Sequence, residues 1–275
     1  MTLSSSVLLV GGGKMGSAML RGWLSKGLET ERVRVIEPDV AASKAIGEDL
    51  AVPVLQNIQK LDSNFSPDVI VLAVKPQGMS TIVPNYAKMA QAGAVTVSIA
   101  AGRTVAFLER CLGRDTAIVR TMPNTPAAIG RGITAAYPNK YVSIDQKESC
   151  HGLLEAMGEV VWISEEAQID PVTAISGSGP AYVFLLIECL AAAGRKQGLS
   201  DEVAAKLALV TVAGAGELAL RSEEDASVLR QNVTSPGGTT AAALEVLMSD
   251  EGIENLMLRA VEVATDRSRG LAEYT

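Results

Sequence analysis

The sequence predicts an α/β fold in which a parallel sheet leads into a second, all-helical domain. Three observations predict it. Short β-branched runs alternate with helical stretches along the first part of the chain, the rhythm of parallel strands joined by crossover helices. Past about Gln168 the strand signal stops and only helical patterns remain. A glycine-rich turn stands between the first run and the first helical stretch, which is where such sheets meet their ligands.

Taken in order, the strand candidates are residues 7–10, 33–36, 69–73, 95–99 and 117–121, with weaker ones at 133–137 and 160–163. Among the helices between them, 15–26 is stopped by Gly27 and 144–157 by Gly158. The later helices are 180–193, 201–220, 240–248 and 253–271. Ser176-Gly177-Ser178-Gly179-Pro180 punctuates the switch, and Ser235-Pro236-Gly237-Gly238 interrupts the helical half. The boundary falls near 165–170, giving domains 1–167 and 168–275. Along 204–220 the only charges are Lys206 and Glu217. A helix apolar on all sides must be buried on all sides. It either forms the centre of its own domain or is covered by a second subunit. A helical region of about 100 residues has little mass to cover it, which favours the second subunit.

The net charge of −7 argues against nucleic-acid binding, which needs basic surface. It leaves room for an anionic cofactor held by backbone amides. Cys111, Cys150 and Cys189 are odd in number and scattered, so no disulfide framework is implied and a reducing cytoplasm fits. The N-terminus lacks a signal sequence, and the longest apolar run, 182–194, contains Glu188 and falls short of a membrane span. A soluble cytoplasmic protein is expected.

Val7-Leu8-Leu9-Val10 runs directly into Gly11-Gly12-Gly13-Lys14-Met15-Gly16, with a helix following. Strand and helix on either side give this G-x-G-x-x-G its force. Gly11 permits the tight turn, Gly13 lets the backbone approach a pyrophosphate, and Gly16 lets helix and strand pack closely. Glu37 closes the second strand 21 residues past Gly16, where a dinucleotide fold carries an acid for the adenosine ribose. Lys75 after the strand at 69–73 could face phosphate or ribose at the carboxyl end of the sheet.

The only histidine, His151, has no partner spacing for a metal or a nucleophile, and the cysteines show no C-x-x-C. No metal site is expected. Reduction of a carbonyl commonly needs a strong acid, because its oxygen must gain a proton. An imine nitrogen is basic enough to arrive protonated, so positioning can supply most of the catalysis. A nicotinamide-dependent reductase poor in catalytic acids points to carbon–nitrogen double bonds.

Asn232-Val233-Thr234-Ser235-Pro236-Gly237-Gly238-Thr239-Thr240 precedes the helix at 240–248 and makes a second backbone nest, suited to a small carboxylate. From Asn232 to Met248 the sequence closely resembles the signature segment of pyrroline-5-carboxylate reductases. The resemblance runs through nearly the whole chain: residues 11–16, Leu72-Ala73-Val74-Lys75-Pro76, 98–102, 120–126 and 173–182 each match a family segment in order.

The resemblance implies a Rossmann domain, then a helical domain that interleaves with a second subunit as a homodimer or larger homo-oligomer. It implies reduction of 1-pyrroline-5-carboxylate to L-proline by NADH or NADPH. Thr240 would hydrogen-bond the ring nitrogen, while Ser235, Gly237, Gly238 and Thr239 would hold the carboxylate. Glu223 and Asn232 would shape the pocket, with Thr173 and Ser178 beside the nicotinamide. The cofactor would meet residues 11–16, Asn57, Ala73, Val74, Lys75, Pro76, Ala100 and Ala101. Glu37 departs from the family, where small or polar residues admit a 2′-phosphate, and this favours NADH. A β-hydroxy-acid dehydrogenase is the rival reading, but it would need a catalytic lysine, and Lys196 and Lys206, the only lysines after residue 147, lie in no glycine-rich loop. A nucleotide sensor without catalysis would have no use for the complete 235–240 loop.

Overall fold

A computed structural model describes residues 3–273. They form two compact units. One holds the chain up to Gly177 together with the stretch from Ala264 onward, and the other is Ser178–Val263.

In the first unit the strands are β1 (Val7–Val10), β2 (Val33–Ile36), β3 (Val54–Leu55), β4 (Val69–Leu72), β5 (Val95–Ser98), β6 (Ile118–Met122), β7 (Gly132–Pro138) and β8 (Gly158–Trp162). They form one sheet in the order β3-β2-β1-β4-β5-β6-β7-β8. The helices are α1 (Lys14–Ser25), α2 (Val40–Leu50), α3 (Met79–Ile82), α4 (Ala87–Gln91), α5 (Val105–Leu112), α6 (Ile144–Glu155) and α7 (Ile169–Val172). Both faces of the sheet are covered. Val7 and Leu9 point into one core with Met19, Trp23 and Leu153, while Leu8 and Val10 point into another with Met79, Val83 and Leu108. Double burial explains why β1 and β4 read as unbroken apolar runs.

Two details depart from the sequence reading. The two-residue strand β3, at the edge beside β2, was too short to leave a pattern. Strand β7 runs antiparallel to β6, while the other pairings are parallel. Between β6 and β7 lies only the 3-10 turn Thr125–Ile129, and a parallel return would need a longer crossover.

The second unit contains α8 (Gly179–Lys196), α9 (Asp201–Arg221), α10 (Ala226–Asn232) and α11 (Thr239–Leu247). Helix α12 (Ile253–Glu273) starts in it and ends in the first unit. There Ser268 Oγ donates to Asp170 Oδ1 at 2.7 Å. The expected punctuation at 176–180 is a π-helical turn, Thr173–Gly177, running into α8. Pro180 sits in the first turn of α8, where its missing N–H leaves no bond unmade. The apolar run at 182–194 therefore belongs to a helical stretch, Glu166–Lys196. By length and composition this stretch and Asp201–Arg221 could each cross a membrane.

Candidate functional site

The sheet order reverses at β1, which has β2 on one side and β4 on the other. Loops leaving β1 and β4 diverge there and open a crevice at the carboxyl edge. The 11–16 loop occupies it. Gly11 N donates to Ile36 O at 2.9 Å, Ala73 N to Val10 O at 2.8 Å, and Ser17 Oγ to Gly12 O at 2.8 Å. Gly11 has φ +101°, and a Cβ there would stand 2.6 Å from the Ala73 carbonyl oxygen. On Gly16 a Cβ would stand 2.1 Å from Gly11 O, so helix α1 approaches the strand end as only glycine allows. Beside Gly13 the space is open, with no atom within 4 Å of a Cβ position. Lys14 and Met15 form the first turn of α1, whose leading N–H groups are free of intrahelical acceptors.

A cavity of about 400 Å³ extends from this loop. Of the sequence-predicted residues it is lined by Gly11, Gly13, Glu37, Asn57, Ala73, Val74 and Lys75. The Glu37 carboxylate accepts from Gly12 N at 2.7 Å and from Asp39 N at 3.0 Å. Lys75 is exposed, and Pro76 begins a 3-10 turn outside the cavity. Ala100 and Ala101 follow β5 and do not line it either. Sequence reasoning missed Gln56, Gln59, Asn85 and Tyr86, the other polar residues of the wall. Burial pushes the Tyr86 hydroxyl up to about 12, so it stays neutral. The one signal for Gln56 and Gln59 was their nearness to Asn57; nothing marked Asn85 or Tyr86.

In the second unit the 232–240 loop enters α11. Gly237 has φ +70° and Gly238 is the N-cap, with no side chain to cap the helix. Gly238 N donates to Ser235 O at 3.0 Å, and Ala242 N to Gly238 O at 3.2 Å. The amides of Thr239, Thr240 and Ala241 therefore precede the helical ladder and point toward any anion at its start. Thr240 is half-buried, whereas Ser235 and Thr239 are exposed. Asn232 Nδ2 donates to Glu224 Oε2 at 3.1 Å. Thr173 lies in the first unit, its hydroxyl donating to Ile169 O at 2.7 Å. Ser178 is the N-cap of α8 in the second.

His151 is far from both loops in sequence and sits on α6, where its Nδ1 accepts from Trp162 Nε1 at 3.3 Å. That is a packing role. Among the described residues no three His, Cys, Asp or Glu side chains cluster as metal ligands do.

Comparison with known proteins gives this arrangement a family. Residues 166–271 match the model for pyrroline-5-carboxylate reductase dimerisation, and residues 6–102 match that for coenzyme F420-dependent NADP oxidoreductases. A pyrroline-5-carboxylate reductase of Pseudomonas aeruginosa is 40% identical over 97% of both chains. The chain belongs to the pyrroline-5-carboxylate reductase family. A Synechocystis member is 39% identical over 98% of this chain and all of its own. Among solved structures, the reductase of Coxiella burnetii superposes with a TM-score of 0.92 at 36% identity, covering 98% of each chain. That of Plasmodium falciparum, with NADP bound, gives 0.83 at 30% identity, covering 99% of this chain and 100% of its own. The N-terminal unit is thus the family's Rossmann-like nucleotide domain and the C-terminal region its helical dimerisation domain.

Proposed function

We propose that this chain reduces 1-pyrroline-5-carboxylate to L-proline, the last step of proline biosynthesis, by hydride transfer from a reduced nicotinamide to the imine carbon. Likeness to the Pseudomonas aeruginosa reductase over 97% of both chains carries this reading. The test is direct: NADH and 1-pyrroline-5-carboxylate are mixed with the protein, and loss of nicotinamide absorbance is followed together with proline formation. No proline above the enzyme-free rate would overturn it.

Functionally the chain divides into residues 1–167, which bind the dinucleotide, and 168–275, which bind substrate and a second copy. The bound cofactor supplies the hydride; the chain's own residues hold the reactants. Amides of the 11–16 loop and the start of α1 hold the pyrophosphate. Glu37, Asn57 and Lys75 hold the adenosine end in the 400 Å³ cavity, and Ala100 and Ala101 line the path toward the nicotinamide. Backbone amides at Gly237, Gly238 and the start of α11 hold the substrate carboxylate, with Ser235 and Thr239 adding hydroxyls. Glu223 and Asn232 shape the pocket, and Thr173 and Ser178 flank the ring. The iminium nitrogen already carries its proton, so the hydride neutralises a cation and leaves a secondary amine. Thr240 meets that nitrogen as it changes from iminium to amine. The enzyme works in the cytoplasm as a homodimer or larger homo-oligomer, without nucleic acid or membrane. The acidic net charge of −7 and three free cysteines support this setting.

NADH is the favoured cofactor. Two backbone amides fix the Glu37 carboxylate at the cavity wall, so it cannot swing clear of a 2′-phosphate. Like charges in that position cost several kcal/mol, whereas ribose hydroxyls can donate to it. The parent enzyme is expected to show higher kcat/KM with NADH than with NADPH, and Glu37→Ser to narrow or reverse the ratio. A parent already more efficient with NADPH would show the assignment of Glu37 to be wrong.

A further inference from the structure

One side chain ties the loop after β5 to the loop after β4. Gly102, at φ +70°, turns the chain as it leaves β5. A Cβ at Gly102 would stand 3.1 Å from Leu271 Cβ and 3.3 Å from the Leu271 backbone, so the end of α12 presses on this turn. Thr104 then caps α5, accepting from Phe107 N at 3.1 Å, and Glu166 Oε1 accepts from Val105 N at 2.8 Å. Between the turn and the cap stands Arg103, only 9% exposed. Its Nε donates to the carbonyl oxygen of Pro76 at 2.9 Å, and Nη2 donates to the same oxygen. The guanidinium carbon lies 4.7 Å from the centroid of the Phe107 ring.

Such a contact is not needed to close the β4 loop. The Pro76 carbonyl already accepts the Met79 amide that ends its 3-10 turn. Nor does α5 need it, because Thr104 and Glu166 satisfy its first amides. What the contact does is fix the Lys75–Pro76 segment from outside. On the inside, just before that segment, the Ala73 carbonyl and the Val74 side chain lie close against Gly11. A planar fork stacked on an aromatic ring is a stiffer tether than a flexible ammonium.

We infer that Arg103 is a positioning residue for the cofactor: it holds the 73–76 segment against the 11–16 loop so that Val74 and Lys75 keep the adenosine-end cavity in binding shape. This rests on the reading of that cavity as the adenosine site. Arg103 itself lies outside the cavity lining and acts through Pro76.

Arg103→Met keeps an unbranched apolar stem but removes both donors and the guanidinium that lies over Phe107. It is expected to raise the KM for NADH and the inhibition constant of ADP-ribose, each by about tenfold. The KM for 1-pyrroline-5-carboxylate and the melting temperature should stay parental. Arg103→Lys, with a donor but no fork, should fall between parent and methionine. Parental NADH and ADP-ribose constants in folded Arg103→Met would overturn the inference. So would a lowered melting temperature with parental constants, or a rise for NADH without one for ADP-ribose. If the methionine variant does not fold, Arg103→Lys decides, and parental constants there overturn the inference. Asn57→Ala runs in parallel. If it weakens ADP-ribose binding and the Arg103 variants do not, only the role of Arg103 fails. If neither weakens it, the cavity is not the adenosine site and the underlying reading fails as well.

Discussion

Thr240→Val is expected to lower turnover on 1-pyrroline-5-carboxylate by about ten- to a thousand-fold, the usual cost of removing one positioned transition-state group. Valine keeps the shape of the side chain and removes only the hydroxyl. Thr240 is the second residue of α11, half-buried beside amides that have no intrahelical acceptor. From there a hydroxyl can meet the ring nitrogen while the neighbouring amides hold the carboxylate. In the proposed role its bond would strengthen as the iminium charge is quenched, so its loss should fall on kcat. Ser235→Ala and Thr239→Ala remove contacts that ground state and transition state share, and should mainly raise KM. Gly238→Ala should be harsher on affinity, because its methyl would stand 3.1 Å from Ser235 O within the nest itself. His151→Ala should change almost nothing, since that ring packs on Trp162. Steady-state kinetics of the set, with cofactor affinity measured separately, makes the comparison. Near-parental turnover in Thr240→Val, or collapse in His151→Ala, would overturn the assignment.

The strands of the central sheet were legible as short β-branched runs, and β1 and β4, buried on both faces, are apolar throughout. Val7–Val10 and Val33–Ile36 have the bounds expected of them. The 11–16 loop was legible because two of its positions demand glycine: Gly11 has φ +101°, and Gly16 has a backbone oxygen 2.1 Å from any Cβ. What the sequence hid depends on proximity rather than pattern. Tyr86 and Asn85 reach the cavity from a 3-10 turn, Val83–Tyr86, whose spacing has no signature. Arg103 is one of many arginines until Gly102 turns it onto Pro76. Antiparallel β7 shows the same limit, because strand direction follows from connection length and not from the residues of the strand. The 232–240 loop was readable only as a nest; its link to an imino acid came from the family resemblance, since backbone amides carry no mark of which carboxylate they bind.

Val210→Lys should give unfolded or aggregated protein in place of an active monomer. The helix that contains it, α9, has only Ala204 and Ala208 buried within the chain. Leu207, Val210 and Leu218 are 53%, 60% and 59% exposed, and Val203, Leu207 and Val210 line a shallow groove with Lys206 and Thr211. The reading of α9 as the centre of its own domain is therefore set aside: one chain does not cover it. Soluble monomers rarely expose so continuous an apolar surface. A second copy can cover it, as the match to the family's dimerisation region suggests. Gly214 and Gly216, with open space at both Cβ positions, leave room for another helix to approach closely. A lysine at 210 would place a second ammonium, one turn from Lys206, in the apolar part of that contact, and burying an unpaired charge costs several kcal/mol. If the chain is an obligate dimer, folding and assembly are coupled, and the loss should appear as unfolding and not as clean dissociation. Sedimentation of the parent at micromolar concentration makes the first check, circular dichroism of the variant the second. A well-folded parent monomer, or a folded and active Val210→Lys monomer, would end the idea.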